Sequence, residues 1–383
     1  MASTYLTRTP SSTGNRKKWT WSGWVKKTRV GGSLNKELMS ANNGSNQFSL
    51  ITFTTTDQLS YYDYTTGYQS QLITNRLFRD TSAWSHIVVA YDSAQSTSSN
   101  RIKFYVNGVQ ETSFGTSTYP SQNYDSFMNL SSLPHYIGRE AGTSNLYEGS
   151  MTHIHFCDGY AYDASSFGES DSVSGIWKPK TAPSVTYGTN GFFLKFENSG
   201  AMGTDSSGNS NTFSVGNGTL TQNVDTPSNN FATLNGIHVG GGASTLSNGN
   251  TTYSLSNYSY NTRSTLGMPS GKFYWEQKQS NTSTRIGLIT SGFTTDLDTD
   301  NANAYYGGSG GGGVYILLSG TGTSWQYTNN DTSQNTGTYT NAIASGANDI
   351  LMGAVDADAG KLWIGVNGVW FNSGNPATGS NAT

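Results

Sequence analysis

Two short stretches constrain this chain more than anything else in it. Ile102-Lys-Phe-Tyr-Val-Asn107-Gly108-Val109 and Leu362-Trp-Ile-Gly-Val-Asn367-Gly368-Val369 both run alternating apolar residues into an Asn-Gly pair. Asn-Gly tolerates the positive φ angles of a type I′ turn, so each stretch signals a β-hairpin. Ile102, Phe104 and Val106 share one face of the first strand, and Leu362, Ile364 and Val366 share one face of the second. The two hairpins lie far apart, each late in a strand-rich region. Two β-sandwich domains of related type in series explain this most simply, and they direct the functional question towards binding rather than chemistry.

Composition supports a folded all-β chain. The 383 residues leave room for two or three domains, each with its own core. Charged residues make up 12%, about half the usual share. Such low charge could signal disorder, but disordered chains are poor in aromatic and β-branched residues. Here aromatic residues reach 13%, with 23 Tyr and 9 Trp, so the reading is strands joined by long polar loops.

A net charge of -3 offers no attraction to nucleic acid or to an anionic membrane. Basic residues gather only at Arg16, Lys17, Lys18, Lys26, Lys27 and Arg29, beside Trp19, Trp21 and Trp24. They read as a solvated edge of the opening strand. The lone Cys157 excludes a disulfide framework. Met1-Ala-Ser-Thr-Tyr-Leu6 has no apolar core region, so no secretory signal is read there. No apolar run approaches the roughly 20 residues of a membrane span. The expectation is a chain folded in a cytoplasm, without membrane insertion.

Apolar content falls from Glu197 to about Asn230, where Asp205-Ser-Ser-Gly-Asn209 and Asp225-Thr-Pro-Ser-Asn-Asn230 are turn-rich. The expected organisation is a first domain over 1–200, a connection over 201–235, and a second domain over 236–383 that is incomplete at its C-terminus.

The order Trp84-Ser-His-Ile-Val-Val89, Lys103-Phe-Tyr-Val-Asn-Gly108, Tyr136-Ile-Gly138 and Ile154-His-Phe-Cys-Asp-Gly159 resembles laminin-G-like, concanavalin A-type jelly rolls. Gly271-Lys-Phe-Tyr-Trp-Glu276 with Gly360-Lys-Leu-Trp-Ile-Gly-Val-Asn-Gly368 resembles the SPRY domain, also a concanavalin-like sandwich. Together these imply an all-β protein of two concanavalin-like antiparallel β-sandwiches in tandem. SPRY sandwiches continue past such a hairpin, and this sequence ends at Thr383. The expectation is a longer natural chain, or strands supplied by a neighbour.

The intervening text, including Gly175-Ile-Trp-Lys-Pro-Lys180 and Asp225-Thr-Pro-Ser-Asn-Asn-Phe-Ala-Thr-Leu-Asn235, resembles large virion proteins of marine bacteriophages. That implies a tail fibre, appendage or head-attached structural protein, made in the bacterial host cytoplasm and carried on the virion. Its partners would be other virion proteins and a host-surface glycan. It would be a homo-oligomer, with a trimer favoured. A bacterial surface adhesin is the alternative, and a glycan-degrading enzyme a further one.

Glycanases of this fold class flank the scissile bond with two carboxylates on one strand face. The expected Glu-x-Asp-x-x-Glu text is absent, and Glu197 and Glu276 stand alone on their strands. The chain therefore reads as a non-enzyme. Tyr61, Tyr62, Asp63, Tyr64 and Tyr68, and separately Tyr305 and Tyr306, are aromatic clusters in loop-like text. Aromatic faces stack on sugar rings, and a neighbouring carboxylate accepts hydroxyl hydrogen bonds. These are the candidate glycan-binding residues.

Asp296, Asp298 and Asp300, at i, i+2 and i+4, suggest a loose calcium site. Asn301 stands where an EF-hand loop has its glycine, and Gly307 where it has its glutamate. No cofactor other than calcium is expected. The laminin-G resemblance extends a calcium expectation to Asp63 and Asp92. His153, His155 and Cys157 alternate, so they present three metal-ligand types on one strand face or pack under a loop.

Overall fold

The computed structural model describes residues 4–44, 46–239, 245–254, 262–280, 283–289, 313–319, 324–329, 333–338 and 346–382. The described residues contain no α-helix and three single 3₁₀ turns. The fold is all-β. The chain divides into two compact units. The first holds Met1–Ile237 and Leu246–Tyr253, so it includes the turn-rich connection; the second holds His238–Thr245 and Ser254–Thr383.

The strands of the first unit begin with β1 (Tyr5–Arg8), β2 (Lys18–Lys27), β3 (Lys36–Asn42), β4 (Phe48–Phe53), β5 (Gln58–Tyr64) and β6 (Tyr68–Leu77). Next come β7 (Ser85–Asp92), β8 (Ile102–Val106), β9 (Val109–Glu111), β10 (Phe114–Thr118) and β11 (His135–Ile137). The set ends with β12 (Gly149–Asp158), β13 (Gly168–Ser170), β14 (Trp177–Pro179), β15 (Phe192–Leu194) and β16 (Ser214–Gly216). They form an eight-stranded sheet, β10-β6-β5-β4-β3-β11-β1-β16, and a six-stranded sheet, β15-β12-β2-β7-β8-β9. Each neighbouring pair in these two sheets is antiparallel.

The period-2 alternation of strands places one apolar set from each sheet in a common core. Trp19, Trp21, Ile87, Val89, Tyr91, Phe104 and Phe156 enter from the six-stranded sheet. Leu38, Met39, Ile51, Phe53, Leu59, Tyr61 and Leu72 enter from the eight-stranded one. Trp19 stacks on Tyr91 with ring centroids 5.0 Å apart.

The six-stranded sheet is buried on its other face too. There Val88 and Cys157 lie under Ala164 and Phe167, with Trp177 and Tyr187 packed alongside. This explains the position of β2, which pairs with β12 on one side and β7 on the other. It is not an edge, and Lys26 and Lys27 are not solvated. Lys26 Nζ lies 2.7 Å from Asp225, and Lys27 pairs with Asp57, all four side chains at most 5% exposed. A lysine enters such a strand only with a partner to offset its desolvation.

In the second unit, Lys272–Lys278, Ile350–Asp356, Lys361–Val366 and Val369–Trp370 form one four-stranded sheet. Ser283–Ile289, Gly313–Ser319, Ser324–Asn329 and Ser333–Thr338 form another. Ile286 of the latter shares a core with Leu351, Ile364 and Val366 of the former.

Both Asn-Gly pairs turn as their sequence requires. Asn107 and Gly108 have φ of 48° and 86°, and Asn367 and Gly368 have 49° and 86°. A Cβ at Gly108 would sit 2.9 Å from the Trp177 ring, whereas one at Gly368 would meet open space. Gly368→Val should therefore destabilise its unit by about 1–3 kcal/mol through backbone strain alone. Gly108→Val should cost visibly more. Thermal melting of both variants checks the order: unchanged melting would show that the turns tolerate a β-branched residue, and equal losses that the Trp177 contact adds nothing.

Candidate functional site

The tyrosine-rich text at 61–68 is strand rather than loop. It fills the end of β5 and the start of β6, so its side chains alternate between two faces. Tyr61 and Asp63 point into the sandwich and have no exposed surface. Asp63 accepts hydrogen bonds from Tyr61 Oη (2.9 Å), Ser70 Oγ (3.0 Å) and Ser49 Oγ. Burial pushes its carboxyl up to about 6 against the opposing pull of those hydroxyls. Neither residue is placed to touch a sugar, and Asp63 is not on a calcium-accessible rim. Asp92 ends β7, where Lys18 Nζ pairs with it at 3.0 Å.

The outward residues form a row. Antiparallel register sets Asn42 beside Phe48, Phe48 beside Tyr64, and Tyr64 beside Tyr68. The Phe48 and Tyr64 rings stack at 5.2 Å with a 10° interplanar angle. Tyr68 meets Tyr64 edge-on at 5.1 Å and Tyr62 at 5.5 Å. Tyr62 stands one row further in and is 9% exposed, whereas Tyr68 is 50% exposed. Burial, with Tyr68 and Glu37 nearby, raises the Tyr62 phenol above its ordinary value.

Polar groups rim this aromatic row. Gln69 Nε2 donates to Thr65 Oγ1 and to the Gly67 carbonyl, both at 3.1 Å, which firms the turn between β5 and β6. At the other end Asn42 Nδ2 donates to Glu140 at 3.3 Å, and Asn145 Nδ2 donates to the same carboxylate at 2.8 Å. The arrangement is a partly exposed aromatic surface with Gln69 and Thr65 at one end and the buried Asn42–Glu140 contact at the other. It can stack on an apolar ring face and exchange hydrogen bonds with hydroxyls. Phe48 and Asn42 escaped the sequence reading. The alternation Phe48-Ser-Leu-Ile-Thr-Phe53 puts Phe48 and Leu50 opposite Ser49 and Ile51, but only strand pairing brings Phe48 beside Tyr64 and Asn42 beside Phe48.

Two carboxyls, Glu37 and Glu140, lie near enough to influence each other electrostatically, though not in the sequence pattern of a glycanase. Glu37 is fully buried, with the Thr52 hydroxyl beside its carboxyl and neither oxygen in reach of solvent. Burial first, and the Glu140 charge second, hold its pKa well above the usual carboxylate range. An acid closed off in this way does not reach a glycosidic oxygen or a nucleophilic water.

Ser22 and His86 also fail as a nucleophile and base. Trp177 Nε1 donates to His86 Nδ1 at 3.0 Å, so the proton sits on Nε2, which contacts Ser22 Oγ at 2.9 Å. The serine oxygen therefore accepts, which is the reverse of what activation needs.

The His153, His155 and Cys157 alternation is broken. β12 slips register against β2 between Thr152 and His155, and His153 has φ of 48°. His155 and Cys157 lie buried under the covering segment, while His153 Nδ1 contacts Thr152 Oγ1 at 3.0 Å. Among the described residues no three His, Cys, Asp or Glu side chains gather as metal ligands. Tyr305, Tyr306, Asp296, Asp298 and Asp300 lie outside the described residues.

These features define the first unit as a concanavalin A-like sandwich. Residues 2–161 match the family described as the concanavalin A-like lectin/glucanases superfamily, in its laminin-G form. Solved structures similar to the chain include domains LG4-5 of the mouse laminin α1 chain, at 12% identity over 96% of this chain and 74% of that one, TM-score 0.32. The CBM40 of the Ruminococcus gnavus IT-sialidase is similar at 12% identity over 42% of this chain and 95% of that one, TM-score 0.31. A heptameric SAP-like pentraxin from Limulus polyphemus is similar at 13% identity over 41% and 71%, TM-score 0.30. No curated protein matches the sequence.

Proposed function

We infer that the first unit binds glycan through the outward row Phe48, Tyr64 and Tyr68, with Tyr62 behind it, and that it does so without hydrolysis. The observation that carries this reading is the half-exposed Tyr68 ring continuing a stacked cross-strand ladder on a lectin-type sandwich. The ladder holds the rings in place before a ligand arrives, which lowers the entropy cost of binding.

We further propose that the chain is a virion structural protein, a tail fibre, appendage or head-attached fibre, which presents this surface to a bacterial host. The resemblance of its connecting text to marine phage virion proteins supports that role. A trimer would multiply weak single-site contacts into useful avidity. The SPRY-like identity of the second unit belongs to the same proposal and rests on its Gly271–Glu276 and Gly360–Gly368 text.

A glycan array of bacterial surface polysaccharides, read beside an assay for released sugar, tests the reading. Binding with no release is the expected result. Turnover that disappears with one Asp or Glu substitution would move the protein to the enzymes. Absence of all glycan binding would leave a purely structural role.

A further inference from the structure

A second recess lies away from the tyrosine row, beside β16 at the end of the eight-stranded sheet. Its volume is about 310 Å³. Buried Met202 and Phe213 and half-buried Leu220 line its apolar part, and exposed Thr204, Thr212 and Thr219 line its polar part. Among the described residues no charged side chain lines it.

The recess is held open by its own backbone. Gly203 passes so close to Phe213 that a Cβ there would sit 1.9 Å from the Phe213 carbonyl oxygen. The Phe213 N–H donates to the Gly203 carbonyl at 2.9 Å. Phe213 is fixed in turn by an edge-on contact with Phe192 at 4.7 Å. Asn217 and Gly218, with φ of 50° and 85°, turn the chain back to complete the wall.

We propose that this recess is a second carbohydrate subsite, for a neutral sugar bearing a methyl group, as N-acetyl and 6-deoxy sugars do. The volume sits at the lower end of small-ligand pockets, about 300–1,000 Å³. An uncharged lining leaves no counter-ion for a sialic or uronic acid, and burying an unpaired carboxylate is costly. The methyl group meets Met202, Phe213 and Leu220, while the ring hydroxyls face the threonines. A β-strand peptide fits less well, because β16 is only three residues long and runs straight into the Asn217-Gly218 turn. The subsite extends the glycan-binding reading but uses none of the tyrosine residues.

Saturation-transfer NMR on the full chain tests it, with N-acetylglucosamine, L-fucose and glucose at equal concentration. The methyl protons of one or both methyl sugars should receive the strongest transfer, and glucose should bind about tenfold more weakly or worse. Which of the two responds separates acetamido from 6-deoxy recognition. Ala201→Trp, at an exposed position in the recess, should abolish the signal, and Thr219→Trp serves as a second blocking variant.

The measurement is repeated in the Tyr64→Ala/Tyr68→Ala background, which removes the tyrosine row, and the methyl signal remaining there is the one the two blocking variants should abolish. Equal transfer to glucose, or a methyl signal that survives both blocking variants in folded protein, would overturn the proposal. So would loss of the signal in the tyrosine variant alone, or the absence of transfer to both methyl sugars.

Discussion

Acidification below about pH 4 should unfold the first unit, because its buried histidines are built to be neutral. His86 accepts from Trp177 Nε1 and lies against Ser22, and burial pushes its pKa down to about 3. His135 Nε2 accepts from the Asn129 N–H at 2.8 Å, Nδ1 faces the Leu133 carbonyl, and burial lowers its pKa to about 4. His155, against Tyr187 Oη at 2.9 Å, is held well below the ordinary range by burial and by neighbouring His153 and His86.

Each histidine is protonated in the unfolded chain near pH 6.5 but stays neutral in the fold. Stability from each is therefore intact above 6.5 and is lost as pH falls towards the folded pKa. By pH 3.5 the loss is about 3–4 kcal/mol for His86 and for His135.

Two acids act in the opposite sense. Asp63 at about 6, and Glu37 well above the carboxylate range, bind protons more tightly in the fold. Their contribution is greatest at low pH and is lost as pH rises through the folded values. Three histidines outweigh two acids, so the net slope is destabilising on the acid side. Circular dichroism against pH gives the midpoint, and NMR of the imidazole protons gives the cause. The rings should remain neutral until the fold is lost; titration near 6.5 in folded protein would contradict the argument.

Lys26→Met should cost about 3–5 kcal/mol and release the connecting segment. Lys26 Nζ reaches Asp225 at 2.7 Å, Asn230 Oδ1 at 2.8 Å and the Phe231 carbonyl at 3.4 Å. Asp225 also accepts from the Phe231 N–H at 2.9 Å and from Trp84 Nε1 at 3.3 Å, while Asn230 Nδ2 donates to the Ser82 carbonyl. The Asp225–Phe231 text is thus a latch that fastens the segment after β16 onto β2. Removing the lysine leaves a buried carboxylate without its cation, which costs more than the pair contributes. Lys26→Met/Asp225→Leu should recover much of the loss. Limited proteolysis should cut Lys26→Met between residues 201 and 235 faster than the parent chain. Parent-like melting and cleavage would show that the latch is dispensable.

How much of this was legible depended on whether a residue's partner was close in sequence. The Asn-Gly hairpins are local, and their alternation and turn chemistry place them without any tertiary knowledge. Alternation indicated β-sandwiches, and the resemblance carried by strand texts such as Trp84–Val89 narrowed them to the concanavalin-like kind.

Lys36–Asn42 was not recognisable as a strand, because Lys-Glu at its start argues for a loop. Glu37 is nevertheless buried, and Lys36 pairs at 3.1 Å with the distant Glu148. The buried fate of Lys26 was hidden for the same reason, since its partner lies 199 positions away. The tyrosine cluster was found but read as loop. Strand alternation then divided it, and only Tyr62, Tyr64 and Tyr68 kept an outward position. Phe48 joined them through pairing between β4 and β5, which no local pattern reveals.

If the outward row of β4, β5 and β6 binds glycan, its exposed rings carry the affinity. Calorimetric titration of a glycan selected on the array, against the parent chain and Tyr64→Ala/Tyr68→Ala, tests it most directly, with melting curves confirming that both are folded. Loss of two stacking rings should weaken binding by about tenfold or more. Undiminished affinity in a folded double variant would contradict the claim and place the binding surface elsewhere on the protein.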